Sequence, residues 1–212
     1  MIKATRMSMK YHLILTGDVI HSRKHEVAKW LPILEQSLTK YAMSFDIFRG
    51  DSFQAEVQLD QVFIAIFYLK AALRQLEGMD IRIGIGVGQV TFQTQDIKKS
   101  TGEAFILSGE SLDSLTKESL EFRSPWTELN ETINLLLTLS TKLSDQWTVN
   151  MAQTVKASFD YPNANQKELT KIVGRKYQSQ ISTELNRANY SKIKQVIDYC
   201  TKELNKYVNH NT

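Results

Sequence analysis

The chain has 212 residues, of which 42% are hydrophobic and 23% charged, with 3 Pro, 9 Gly and a single Cys. These figures fit one large or two small globular domains and exclude a disulfide framework. The longest apolar run, from Val62 to Leu69, is far short of the ~20 residues that cross a bilayer, so no membrane partner is expected. The net charge of +3 hides an asymmetry: residues 147–212 hold ten Lys and Arg against five Asp and Glu, a weak pointer to a polyanionic partner.

The opening residues MIKATRMSMK are basic but lead into a strand-like run, not an apolar signal region. With the lone Cys200 they suit a reducing, cytoplasmic setting. Residues 11–16 read as a buried strand closed by Gly17-Asp18. Ser22 is placed to cap a helix whose apolar stripe is Val27, Trp30, Leu31, Leu34 and Leu38, with Pro32 delaying or kinking it. Residues 45–49 and 52–57 read as short strands joined at the turn Gly50-Asp51. An apolar-rich helix over 59–76 is stopped by Gly78. Residues 80–88 alternate, with Ile81, Ile83, Ile85 and Val87 on one face. Gly84, Gly86 and Gly88 occupy the other, open to close approach by a helix or a ligand.

This order, β-α-β-β-α-β, is the ferredoxin-like α/β arrangement. A helix over 105–117 and an edge strand at 120–123 follow. Ser124-Pro125 is the best boundary signal, giving an α/β domain over 9–124 and an all-α domain over 126–212. The predicted helices of the second part cover 127–145, 147–159, 166–173, 179–188 and 191–208. Cys200 falls on the last of them and reads as a packed thiol.

Two carboxylates converge in this arrangement. Asp18 ends the first strand and Asp51 sits on the central hairpin, next to that strand in a ferredoxin-like sheet. Together they are candidate ligands for Mg²⁺ or Mn²⁺, with nucleotide phosphates completing the shell. Backbone groups at Ile20 and Ser22, with Arg49 and Gly50, are candidate phosphate contacts. Gly-Asp pairs also make ordinary turns, and Asp18 alone also suits a helix cap. His21 and His25 have helical i, i+4 spacing, but no third metal ligand is evident.

The segments Thr16-Gly-Asp18-Val-Ile, Phe48-Arg-Gly-Asp51-Ser-Phe, Ile81-Arg-Ile-Gly-Ile-Gly-Val-Gly88 and Gly102-Glu-Ala-Phe-Ile-Leu-Ser108 come in the order found in class III nucleotidyl cyclases. The hairpin also resembles that of diguanylate cyclase domains. Over most of its length the chain resembles the SatD family, small bacterial proteins with such a domain and a helical C-terminal region. The resemblance implies that Asp18 and Asp51 match the metal-binding aspartates, and that two copies pair as a homodimer. It also exposes departures. Ile106 and Glu110 stand where cyclases carry an Asn and an Arg that support the transition state, and Ser52 follows Asp51 where a second acid is usual. Such losses weaken phosphoryl transfer. Arg23, Lys24, Arg49, Lys98 and Lys99 are alternative sources of positive charge.

The segment 166–188 looks like a helix-turn-helix. Leu169 and Val173 face inward from its first helix, Gly174 allows the turn, and Ile181 and Leu185 anchor its second. The outward face then carries Gln178, Ser179, Gln180, Ser182, Thr183, Asn186 and Arg187 for base edges and phosphates, with Lys171, Arg175 and Lys176 for the backbone. Plain bundle packing explains the same pattern. The sequence therefore supports a nucleotide- or metal-sensing transcriptional regulator with a degenerate cyclase-like domain and a DNA-binding tail. A Mg-dependent nucleotidyl cyclase or nucleotidyltransferase and a non-catalytic protein-interaction module are the alternatives.

Overall fold

The buried strand read from Tyr11 is not closed by the Gly-Asp pair but runs through it. In a computed structural model that describes residues 11–92, 94 and 97–210, β1 is Tyr11–Ile20 and pairs with its neighbour to its last residue. The readings of residues 1–10 lie outside the described residues. Ser22 caps no long helix. It opens a single 3₁₀ turn, and α1 (Val27–Tyr41) starts after Glu26 and continues through Pro32. Proline has no N–H, so α1 lacks the bond that residue 32 would give to Ala28.

The remaining strands are β2 (Ala42–Phe48), β3 (Ser52–Val57), β4 (Asp80–Phe92), β5 (Thr101–Gly102) and β6 (Leu120–Arg123). They form a mixed sheet in the order β2-β3-β1-β4-β5, antiparallel throughout, and β6 joins β4 in parallel. The β2–β3 turn places Arg49 and Gly50 at positive φ, 54° and 91°. That conformation is easy for glycine and unusual for arginine.

Helix α2 (Val62–Leu73) crosses one face of the sheet, and α3 (Glu103–Ser114) covers the other. The glycine face of β4 takes α3, not a ligand. A Cβ at Gly86 would stand 2.2 Å from the Ala104 carbonyl oxygen, and one at Gly84 would stand 2.3 Å from that of Ser108. Side chains there would push the helix off the sheet.

Eleven of the twelve residues of α2 are buried, so it faces protein on all sides. Its neighbours include β4, α1, and two helices of the C-terminal half, α5 (Val149–Asp160) and α8 (Tyr190–His210). Helix α4 (Thr127–Ser144) precedes them, and α6 (Gln166–Ile172) and α7 (Gln178–Arg187) run between them. Ser124-Pro125 therefore marks a change of secondary structure but not a gap in the core. Leu13, Phe67, Ile85, Ile133, Trp147, Ile197 and Leu204 belong to one apolar cluster. Cys200 lies inside it, and burial pushes its thiol up to about 12.

Two charged clusters bolt the helical half to the α/β half. Lys70 of α2 is fully buried, with Nζ 2.9 Å from Oδ1 and Oδ2 of Asp80 and 2.9 Å from Asp145 Oδ1. Arg74 donates to Asp80 at 2.5 Å and to the carbonyls of Asp145 and Trp147. Elsewhere Asp160 of α5 accepts from Lys40 (2.5 Å), Tyr68 (2.9 Å) and Lys156 (2.7 Å). Burial pushes the Asp160 carboxyl up, but these donors outweigh it and hold the group below its ordinary value.

Candidate functional site

Asp18 and Asp51 line one cleft. Its volume is about 600 Å³, and its walls also carry Val19, Ile20, His21, Ser22, Arg23, Lys24, Ser52 and Arg82. The sheet register brings the two carboxylates together. Asp18 lies opposite Ser52 on one side and opposite Arg82 on the other. The Val19 amide donates to the Asp51 carbonyl at 3.0 Å, which ties the hairpin to the end of β1.

Each carboxylate has a partner. Arg82 grips Asp18 with two bonds, Nε to Oδ1 at 3.0 Å and Nη2 to Oδ2 at 2.7 Å. The bound carboxylate raises the pKa of Arg82 above its ordinary value against partial burial. Asp51 Oδ2 accepts from Ser22 Oγ at 2.5 Å. The serine expected to cap a helix thus holds the hairpin carboxylate. Of the expected phosphate contacts, Ile20 and Ser22 are in the wall, while Arg49 and Gly50 sit exposed at the hairpin tip and do not line the cleft.

His21 and His25 do not share a site. His21 Nδ1 bonds the Gly78 carbonyl (2.7 Å), and His25 Nε2 bonds that of Glu77 (3.0 Å). Both pin the loop after β1 to the turn before β4. His21 holds the left-handed conformation at φ 62°. Among the described residues no group of three or more His, Cys, Asp or Glu is arranged to hold a metal ion. Ile106 is 60% exposed and Glu110 pairs with Arg123; neither lines the cleft. Lys98 is committed to Asp46.

The second candidate surface is on the helical half. Helices α5, α6 and α7 contribute one residue each, Ala157, Leu169 and Ile181, to a small separate core, with Val173 and Leu185 packed on it. Gly174 turns the chain at φ 69°. Asn165 caps α6 by accepting from the amides of Lys167 (3.0 Å) and Glu168 (3.1 Å). The side chains of Ser179, Ser182, Thr183, Asn186 and Arg187 on α7 make no hydrogen bond or ion pair among the described residues, and all but Ser182 are exposed. Lys171 and Lys176 are also exposed, the latter 5.1 Å from the Tyr177 ring centroid.

Three residues expected on DNA have other work. Arg175 is bound to Glu184 Oε1 (2.8 Å), Gln153 Oε1 (3.1 Å) and the carbonyls of Asn150 (3.1 Å) and Val173 (3.3 Å). Its guanidinium is spent on holding the turn. Gln180 Oε1 accepts from the amides of Lys176 and Tyr177, both at 3.0 Å, and so caps α7. Gln178 donates to Gln166 at 3.2 Å.

Sequence reasoning missed Arg82 as a site residue. The available signal is its place on the same face of β4 as Gly84, Gly86 and Gly88, where it is the one cation among small residues. No family model matches the chain, and no curated protein matches it in sequence. No helix among the described residues is long and apolar enough to cross a membrane.

Proposed function

We propose that the protein is a nucleotide-responsive transcriptional regulator. The cleft at Asp18 and Asp51 takes the phosphate end of a nucleotide, and α7 reads DNA. The observation that carries this is the three-helix unit of α5, α6 and α7. Its core takes one residue from each helix, and its last helix presents Ser179, Thr183, Asn186 and Arg187 with no internal partners. A helix set on its own small core with a free polar stripe has the geometry of a recognition helix. Lys171, Lys176 and Arg187 supply the charge for phosphates. The antiparallel order β2-β3-β1-β4 supports a ferredoxin-like, nucleotidyl-cyclase-like reading of the α/β half. Leu135 and Leu139, exposed one turn apart on α4, are the patch that a homodimer would cover.

A second reading, a nucleotidyl cyclase or nucleotidyltransferase using Mg²⁺ or Mn²⁺, is favoured by the meeting of Asp18 and Asp51 in one cleft. The losses at Ile106 and Glu110 count against it.

Fluorescence anisotropy with a duplex of random sequence tests the DNA function. The expected dissociation constant is in the range of about 10⁻⁴ to 10⁻⁶ M, weakening as salt rises. Combining Lys176→Glu with Arg187→Glu abolishes binding, and ATP, GTP, CTP or UTP shifts it. No binding at low salt, or full binding by the double variant, overturns the DNA function. Appearance of a cyclic or oligomeric nucleotide product that needs both aspartates establishes the second reading.

A further inference from the structure

This inference rests on the reading of the cleft as a nucleotide site, and it concerns what balances the ligand's charge. The resemblance to cyclases implies a divalent cation held by Asp18 and Asp51. The geometry does not fit one. A magnesium ligand must offer a lone pair at about 2.0–2.1 Å in near-octahedral geometry. Each oxygen of Asp18 accepts a bond from the guanidinium of Arg82, at 3.0 and 2.7 Å, and a cation held there repels a divalent ion approaching the same carboxylate. Asp51 Oδ2 is taken by Ser22 at 2.5 Å.

The pair is built into the sheet. Asp18 and Arg82 are direct neighbours across β1 and β4, so their side chains leave the same face about 5 Å apart. Asp18 fixes the guanidinium by its edge. Two nitrogens are used, and Nη1 makes no bond among the described residues. Arginine's planar fork keeps donors for a second anion when one edge is occupied. The Arg82 side chain is 41% exposed and lines the cleft. Arg23 and Lys24 line it too and enter no ion pair among the described residues. With Asp18 neutralised by Arg82, these two cations face Asp51 alone, so the cleft is left with an excess of positive charge.

We propose that the cleft binds the diphosphate or triphosphate of its ligand directly, without a divalent cation. Arg82 supplies positive charge that a metal would otherwise bring, and Asp18 is the internal counter-ion that the phosphate displaces from it. The two assignments make opposite demands on Asp18. As a metal ligand it is indispensable, whereas as a holder of Arg82 it competes with the incoming phosphate.

The test is isothermal titration calorimetry of the full chain with pyrophosphate and with each of ATP, GTP, CTP and UTP, in excess EDTA and in excess MgCl₂. Binding no weaker in EDTA than in MgCl₂ is the expected result. Asp18→Asn, which frees Arg82 and removes a negative charge, tightens it. Arg82→Gln weakens it about tenfold, the loss of one charge-assisted contact. Arg82→Lys, which keeps the charge and loses the fork, falls between and serves if Arg82→Gln fails to fold. Binding that requires Mg²⁺ and disappears in Asp18→Asn overturns the proposal and leaves the nucleotide reading standing, as does unaltered binding by Arg82→Gln. No heat with any probe in either buffer overturns both.

Discussion

The cleft and the outer face of α7 are two polar surfaces of this protein, and they are prepared in opposite ways. In the cleft the two carboxylates are already engaged: Asp18 with Arg82, Asp51 with Ser22. On α7 the exposed stripe Ser179, Thr183, Asn186 and Arg187 makes no side-chain hydrogen bond or ion pair among the described residues. A ligand entering the cleft must exchange one set of contacts for another, and its net gain is a small difference. A ligand meeting α7 displaces water alone. The cleft is thus suited to discrimination and the helix face to reach, the division of labour that the proposed regulator requires.

The largest test of the comparison is to cut the bolts between the halves. Lys70→Ala leaves Asp80 and Asp145 without their buried cation and is expected to lower unfolding stability by about 3–5 kcal/mol, read by urea melts. A loss under about 1 kcal/mol would show that the halves do not depend on that cluster. Next in size, Ile181→Ala removes the α7 anchor from the small core and is expected to cost about 2–5 kcal/mol. It should abolish DNA binding while pyrophosphate binding in the cleft persists. If both fall together, the two surfaces are not separable. Smallest is a pH effect at Asp160. Its folded pKa is depressed, so its contribution is present above the unfolded value near 4 and is lost as pH falls through the lower folded value. Between about pH 5 and about pH 3, wild type should lose stability more steeply than Asp160→Asn in thermal melts. Parallel slopes would remove Asp160 from the set of bolts.

Much of this was legible in the residues themselves. A buried apolar run located β1 and period-2 alternation located β4, and Gly50 and Gly174 marked turns that glycine fills at positive φ. The inward positions Leu169, Val173, Ile181 and Leu185 follow from helical spacing. What escaped depends on facts that spacing does not carry. The Asp18–Arg82 pair is a product of the β1–β4 register, and residues 64 positions apart give no hint of it. Ser22 has the chemistry of a cap and also of a carboxylate donor, and only the folded hairpin decides between them. Arg175 reads as a free cation until Glu184 is brought beside it by the turn. The shared core had a signal that went unused: α2 is apolar on every side, which one sheet cannot cover alone.

That same helix sets the mechanics of the molecule. It touches β4, the strand of Arg82, on one side and α5, the first helix of the small three-helix unit, on another. Close-packed interiors compress little and pass on displacement instead of absorbing it. The two halves therefore meet across packed side chains, with α2 in contact with an element of each.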